Sequence, residues 1–242
     1  MIKLIVVENY EELSREAFKV MKEVIDSKSH PVLGLATGSS PIGLYKNMIQ
    51  DHKENGTSYE NVTTFNLDEY VGLKKNHRET YYTFMHKNLF EGIEIPEKNV
   101  HIPVGDSEDL DGECRKYEQA MSDYQVDIQL LGIGGNGHIG FNEPGTSFDS
   151  LTHIVELKEC TRQDNARFFT DLEEDVPTHA ITMGIATVMK AKKILLVANG
   201  ENKADAIYGL IKGPVSEDCP ASVLQNHDDV VVIVDKAAAS KL

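Results

Sequence analysis

The sequence has no tryptophan and only three cysteines, and its 24 lysines and arginines face 39 aspartates and glutamates, a formal net charge of −15. Each shortage excludes something. A surface this acidic repels polyanions, so neither nucleic acid nor an anionic membrane is an expected partner. Cys114, Cys160 and Cys219 are odd in number, widely spaced and free of any C-x-x-C pattern. They suit idle thiols in a reducing compartment rather than a disulfide framework or a zinc site. No apolar run is long enough to span a bilayer. Met1-Ile-Lys-Leu-Ile-Val-Val7 is too short and too soon polar for a secretory signal, so a cytoplasmic location is expected. No repeat, low-complexity tract or linker interrupts the chain. Residues 1–242 therefore read as one domain, large enough to bury a sizeable core without staples.

What is present is alternation. Ile2–Val7, Val32–Ala36, Val62–Leu67, Val126–Leu131, Thr152–Leu157, Lys193–Ala198 and Val230–Val234 read as strands. Helical spacing is predicted over 10–27, from Pro41 to about Gln50, and over 78–91, 111–123, 160–169, 182–191 and 201–212. Asn9 with Glu12 forms a capping box for the first helix. Glu173-Glu174-Asp175 reads as a solvated surface run. Buried apolar strands alternating with helices predict an α/β fold, a mostly parallel sheet with helices on both faces. Such sheets bind ligands at the carboxyl ends of their strands.

Three strand ends carry chemistry. Thr37-Gly38-Ser39-Ser40 precedes a helix, with Ser40 placed to cap it and Pro41 suited to its first position. An ordinary βα turn would look the same, but hydroxyls and free N–H groups at a helix start also make a phosphate seat. The loop lacks the lysine and length of a Walker sequence. At the end of Val62–Leu67 stand Asp68 and Glu69. Adjacent carboxylates commonly just solvate a strand end. Shielded from water and beside a substrate carbon, one of them can shuttle a proton.

The third end is Leu131-Gly-Ile-Gly-Gly-Asn-Gly-His-Ile-Gly-Phe-Asn-Glu-Pro-Gly145. Gly132, Gly134 and Gly137 spell a dinucleotide turn, but Gly140 and Pro144-Gly145 argue against the long helix that turn requires. His138, Glu143 and Asp149 could bind metal, yet they lack a compact ligand spacing. Acid–base work is the third reading: a histidine oriented by a carboxylate, with glycines that let substrate lie against the backbone.

Leu35-Ala-Thr-Gly-Ser-Ser-Pro41, Asn66-Leu-Asp-Glu-Tyr70, Leu131–Gly145 and Thr161-Arg-Gln-Asp-Asn-Ala-Arg-Phe-Phe169 together resemble the glucosamine-6-phosphate deaminase family, and the resemblance covers essentially the whole chain. It implies a Rossmann-like three-layer sandwich. It also implies conversion of glucosamine 6-phosphate and water into fructose 6-phosphate and ammonia, with no metal or organic cofactor. His138 would open the sugar ring, supported by Glu143. Asp68 would move a proton between C2 and C1 through an enolamine. Thr37, Gly38, Ser39 and Ser40 would hold the phosphate, with Arg167 and Lys203 completing the seat.

Two departures stand out. The enteric branch of the family has an aspartate where this chain has Asn136, so ring opening would lean on Glu143. Allosteric members carry basic residues after the loop, whereas Leu151-Thr-His-Ile-Val-Glu156 has none, and the chain ends soon after its last strand. An unregulated short form, a monomer or weak homo-oligomer acting on a small sugar phosphate, is the expectation. The polar, acidic segment 157–178 is expected to act as a lid. The rivals are a 6-phosphogluconolactonase of similar fold and a sugar-phosphate sensor domain, which would need a DNA-binding module and a basic face.

Overall fold

Runs of valine, isoleucine and leucine bounded by turn residues become strands, and the amphipathic stretches between them become helices. The computed structural model describes residues 1–166, 169 and 176–242, without the side chains of Cys160 and Asp164. Arg167, the acidic run 173–175 and the corresponding part of the expected lid lie outside the described residues. The strands are β1 (Ile2–Val7), β2 (Val32–Leu35), β3 (Thr63–Asn66), β4 (Asp68–Tyr70), β5 (Val100–His101), β6 (Ile128–Leu131), β7 (His153–Glu156), β8 (His179–Thr182), β9 (Ile194–Ala198) and β10 (Val230–Asp235). The α-helices are α1 (Tyr10–Asp26), α2 (Ile42–Asn55), α3 (Tyr81–Met85), α4 (Glu91–Ile93), α5 (Leu110–Ser122), α6 (Glu159–Ala166), α7 (Ile185–Val188) and α8 (Ala204–Lys212).

Seven strands form one sheet in the order β1-β10-β9-β6-β2-β3-β5, with every pairing parallel. Every residue of β2, β6 and β9 is buried. A strand can be buried throughout only if helices cover both faces of its sheet. From β2 the chain steps outward to β3 and β5, then returns to β6 on the other side of β2 and proceeds to β9 and β10. The crevice between the carboxyl ends of β2 and β6 is thus the switch point, where open sheets of this kind take their ligands. No helix among the described residues is long and apolar enough to cross a membrane.

A second, antiparallel sheet, β4-β8-β7, has its own apolar cluster around Tyr70, Phe141, Leu157 and Ala180. It corrects two expectations. The strand ending in Asp68-Glu69 is two strands, since β3 stops at Asn66 and Asp68 opens β4 in the other sheet. The helix predicted over 182–191 is mainly not helix: His179–Thr182 pairs with both β4 and β7, and only Ile185–Val188 turns helical. Cross-strand partners distant in sequence claim Thr182 from that span, and the helix that follows is a single turn starting three residues later.

The helix predicted over 78–91 begins at Tyr81, capped by the Thr80 hydroxyl, and passes into a π turn at His86–Phe90. In α1 the Asn9 side chain accepts the Glu12 N–H as expected, while the Glu12 carboxylate reaches one residue further back, to the Glu8 N–H. Cys114 and Cys219 are free thiols.

Candidate active site

The two loops that flank the switch point, Ala36–Pro41 after β2 and Gly132–Phe141 after β6, line one cleft of about 210 Å³. Asp68, Tyr81, Thr161, Asn165 and Lys203 complete its wall. Of the residues singled out in the sequence, Thr37, Gly38, Ser39, Ser40, Asp68, His138 and Lys203 therefore share one cavity. Glu143 and Asn136 stand behind His138.

The loop after β2 differs from its expected local form. Helix α2 begins at Ile42, one residue later than predicted, and Ser40 does not cap it, because its hydroxyl donates to Asn199 Oδ1 at 3.0 Å. The capping role falls to Tyr10, whose hydroxyl donates to the Ser39 carbonyl (2.9 Å) and accepts the Gly43 N–H (2.8 Å). Gly38 sits at φ +98°, a conformation natural to glycine. Among the described residues no protein acceptor takes the N–H groups of Gly38, Ser39 and Ser40. The loop thus brings three N–H donors without a protein acceptor and the hydroxyls of Thr37 and Ser39 to the cleft, groups suited to a phosphate.

The loop after β6 is not a dinucleotide turn. No helix follows Gly137 before α6. Gly134 N–H instead bonds the His138 carbonyl (2.9 Å), and a Cβ at Gly134 would run into the His138 ring, so glycine here makes room for imidazole. Glu143 is buried, and its two oxygens accept from the Thr161 hydroxyl (2.6 Å) and the Asn136 amide (2.7 Å). Burial works against its charge, but the nearby His138 ring and hydrogen bonds from Thr161 and Asn136 hold the carboxyl down at about 2. The glutamate is therefore ionised at neutral pH and can only accept.

That condition propagates. Asn136 must point its Nδ2 at Glu143, so its Oδ1 faces His138, lying 3.2 Å from the backbone N and 2.8 Å from Nδ1. An amide oxygen only accepts, so the proton sits on Nδ1 and leaves Nε2 bare to act as a base. Asn136 is thus the bridge of the relay. Glu143 Oε1 itself stands 3.6 Å from Nδ1, beside the ring as expected, with Asn136 bonded to both residues.

Asp68 opens β4 and is 5% exposed. Burial, reinforced by the neighbouring Glu69, pushes its carboxyl up to about 8. A carboxylate forced to ionise in such a place is a far stronger base than one in water. Tyr81, Thr161 and Asn165 went unrecognised in the sequence as individual site residues. Thr161 and Asn165 lie within the quoted Thr161–Phe169 motif, and their i, i+4 spacing on α6 places both on one helix face, a signal that could have found them. Tyr81 enters from another element and carried no local signal.

Fold and cleft together define the class: an open parallel sheet, covered on both faces, whose switch-point cleft brings together His138, Asp68 and the Thr37–Ser40 loop. The chain belongs to the family of glucosamine-6-phosphate isomerases and 6-phosphogluconolactonases, whose sequence profile matches residues 7–233. It is 51% identical over 242 residues to a glucosamine-6-phosphate deaminase of Halalkalibacterium halodurans, covering 100% of this chain and 98% of that one. It is 50% identical to a glucosamine-6-phosphate deaminase of Clostridium novyi, covering all of both. Among solved structures, a monomeric glucosamine-6-phosphate deaminase superposes with a TM-score of 0.95 at 47% identity, covering 99% of this chain and 100% of that one. A 6-phosphogluconolactonase from Trypanosoma cruzi superposes at 0.80 with 21% identity, covering 100% of this chain and 97% of that one, a likeness of fold alone.

Proposed function

We infer that this chain is a glucosamine-6-phosphate deaminase, an enzyme of amino-sugar breakdown that turns glucosamine 6-phosphate and water into fructose 6-phosphate and ammonia. The observation that carries the assignment of roles is the Glu143–Asn136–His138 relay, whose His138 enters the same cleft as a buried, strongly basic Asp68.

The phosphate rests on the N–H groups of Gly38, Ser39 and Ser40 and the hydroxyls of Thr37 and Ser39, with Lys203 and Arg167 supplying positive charge to an otherwise acidic protein. His138 Nε2 takes the proton of the sugar's O1 hydroxyl as the C1–O5 bond breaks, and returns a proton to O5. The imidazolium formed on the way is stabilised through Asn136 by the Glu143 charge. Asp68, ionised, then removes the proton from C2, giving an enolamine. Its high proton affinity lets it keep that proton within the buried site and deliver it to C1. The resulting iminium at C2 adds water and expels ammonia. A monomer in the cytoplasm performs this chemistry.

Ammonia release from glucosamine 6-phosphate by the purified chain, run beside hydrolysis of 6-phosphogluconolactone, tests the reading. Ammonia with no lactone hydrolysis is expected. Lactone hydrolysis without ammonia overturns it. Elution on a sizing column at the mass of one chain, 26.9 kDa, tests the monomer.

A further inference from the structure

Glu69 is a buried carboxylate that the reaction above does not use. It alternates with Asp68 along β4, and successive side chains of a strand point to opposite faces. Asp68 lines the catalytic cleft, whereas Glu69 lines a separate small cavity of about 80 Å³ shared with Thr80 and Asp106. Its partners there are backbone. Oε1 accepts the N–H groups of Tyr70 (2.8 Å) and Tyr81 (2.9 Å), and Oε2 accepts that of Tyr82 (2.9 Å).

Tyr81 and Tyr82 form the first turn of α3, whose leading N–H groups have no partner within the helix. Thr80 satisfies the next one, at Thr83, from its side chain. The other two are taken by a residue of another element, twelve positions earlier. Because β4 is itself held by pairing with β8, Glu69 hangs the start of α3 from a rigid strand. On the far side of that turn, the Tyr81 ring lies nearly parallel to Phe141 (centroids 6.1 Å apart, 14° between planes) and against Tyr70 (4.7 Å). The same Tyr81 walls the cleft beside Thr37 and Asp68.

We propose that Glu69 is a positioning residue that pins the first turn of α3 and thereby sets Tyr81 in the wall of the catalytic cleft. This rests on the reading of that cleft as a sugar-phosphate site. Two peptide N–H groups bonded to one buried carboxyl fix the Tyr81 backbone in direction as well as in place, and packing against Tyr70 and Phe141 then holds the ring that this backbone presents.

The test is a double-mutant cycle on ammonia release from glucosamine 6-phosphate, using Glu69→Gln, Tyr81→Ala and the pair, each at its own optimal pH so that the direct effect of the Glu69 charge on Asp68 drops out. Glu69→Gln is expected to lower kcat/KM about tenfold, the scale of one hydrogen bond to a charged group, and Tyr81→Ala, which removes the wall itself, by at least as much. The double variant is expected to fall no more than about twofold below the worse single one, because both act through one tyrosine. Losses that multiply to about a hundredfold overturn the proposal. A second measurement needs no variant: the amides of Tyr81 and Tyr82 in the wild-type protein should exchange with deuterium slowly, like those of core strands. Exchange at the rate of an open loop overturns the clamp even if Glu69→Gln fails to fold. A wild type that releases no ammonia removes the functional reading, while the exchange arm still decides the clamp.

Discussion

Replacing Glu143 by glutamine changes one atom and almost no volume, yet it removes the charge on which the relay depends. In the wild type the ionised carboxylate, 3.6 Å from His138 Nδ1, faces the ring when it takes up a second proton. With an effective dielectric of about 20, a unit pair near that distance is worth about 4 kcal/mol. His138 keeps 24% of its side chain exposed, so solvent screens part of this and about 2–4 kcal/mol is the usable range. The amide does further harm. If its oxygen keeps the Asn136 bond, its nitrogen faces the ring. If it turns over, Asn136 must turn too, and a donor then confronts Nδ1 and moves the imidazole proton to Nε2. Both arrangements weaken the base. Ammonia release from closed-ring glucosamine 6-phosphate should fall about 30- to 1,000-fold. An open-chain analogue, which needs only Asp68, should be spared. A loss under about threefold, or an equal loss on both substrates, refutes the relay.

Asp68→Asn should cut turnover by about 10²–10⁴-fold or more while substrate binding stays near normal, and C2-proton exchange with solvent should stop; continued exchange shows that another group is the base. The same change should stabilise the fold. The Asp68 carboxyl stands at about 8 in the folded protein against an ordinary 3.8, so its protonated form adds stability below the ordinary value, and that contribution is lost as pH rises towards 8. The asparagine variant should therefore melt higher than wild type by more at pH 8 than at pH 5, at about 2–4 °C per kcal/mol; equal gains at both would place the cost elsewhere. In the wild type, kcat/KM should climb with pH as Asp68 ionises, and a flat profile between pH 6 and 8 would count against it. Gly38→Ala meets no neighbouring atom within 4 Å but inherits φ +98°, so it should cost about 1–2 kcal/mol and weaken inhibition by inorganic phosphate; unchanged inhibition would remove Gly38 from the seat. Since β7 carries His153, Val155 and Glu156 and no lysine or arginine, rate against glucosamine 6-phosphate should be hyperbolic and indifferent to N-acetylglucosamine 6-phosphate. A sigmoidal curve relieved by the acetylated sugar would reveal an activator site.

Local signals carried far in this chain, and they stopped where partners come from a distance. Val32–Leu35, Ile128–Leu131 and Ile194–Ala198 are apolar at every position but Gly34 and Gln129, and such runs, spaced by helices, dictate a sheet covered on both faces. The loop motifs then fell at strand ends because βα turns must, and the switch point brought Thr37–Ser40 and His138 together. Of the β4-β8-β7 sheet only β7 was legible, as the strand read over Thr152–Leu157. The sheet's strands hold three, four and four residues, and β4 finds its partner β8 only across more than a hundred positions of chain. For the same reason Tyr10 as the cap of α2 and Glu69 as the clamp of α3 left no local trace. The sequence by itself determined which groups can move protons and hold an anion, since that is a property of side chains and their immediate neighbours. Only the tertiary structure decided that Asp68 is buried and therefore basic, that Glu143 stays charged, and that Asn136 sets the His138 tautomer, because proton affinity and hydrogen-bond direction depend on what surrounds a group in space.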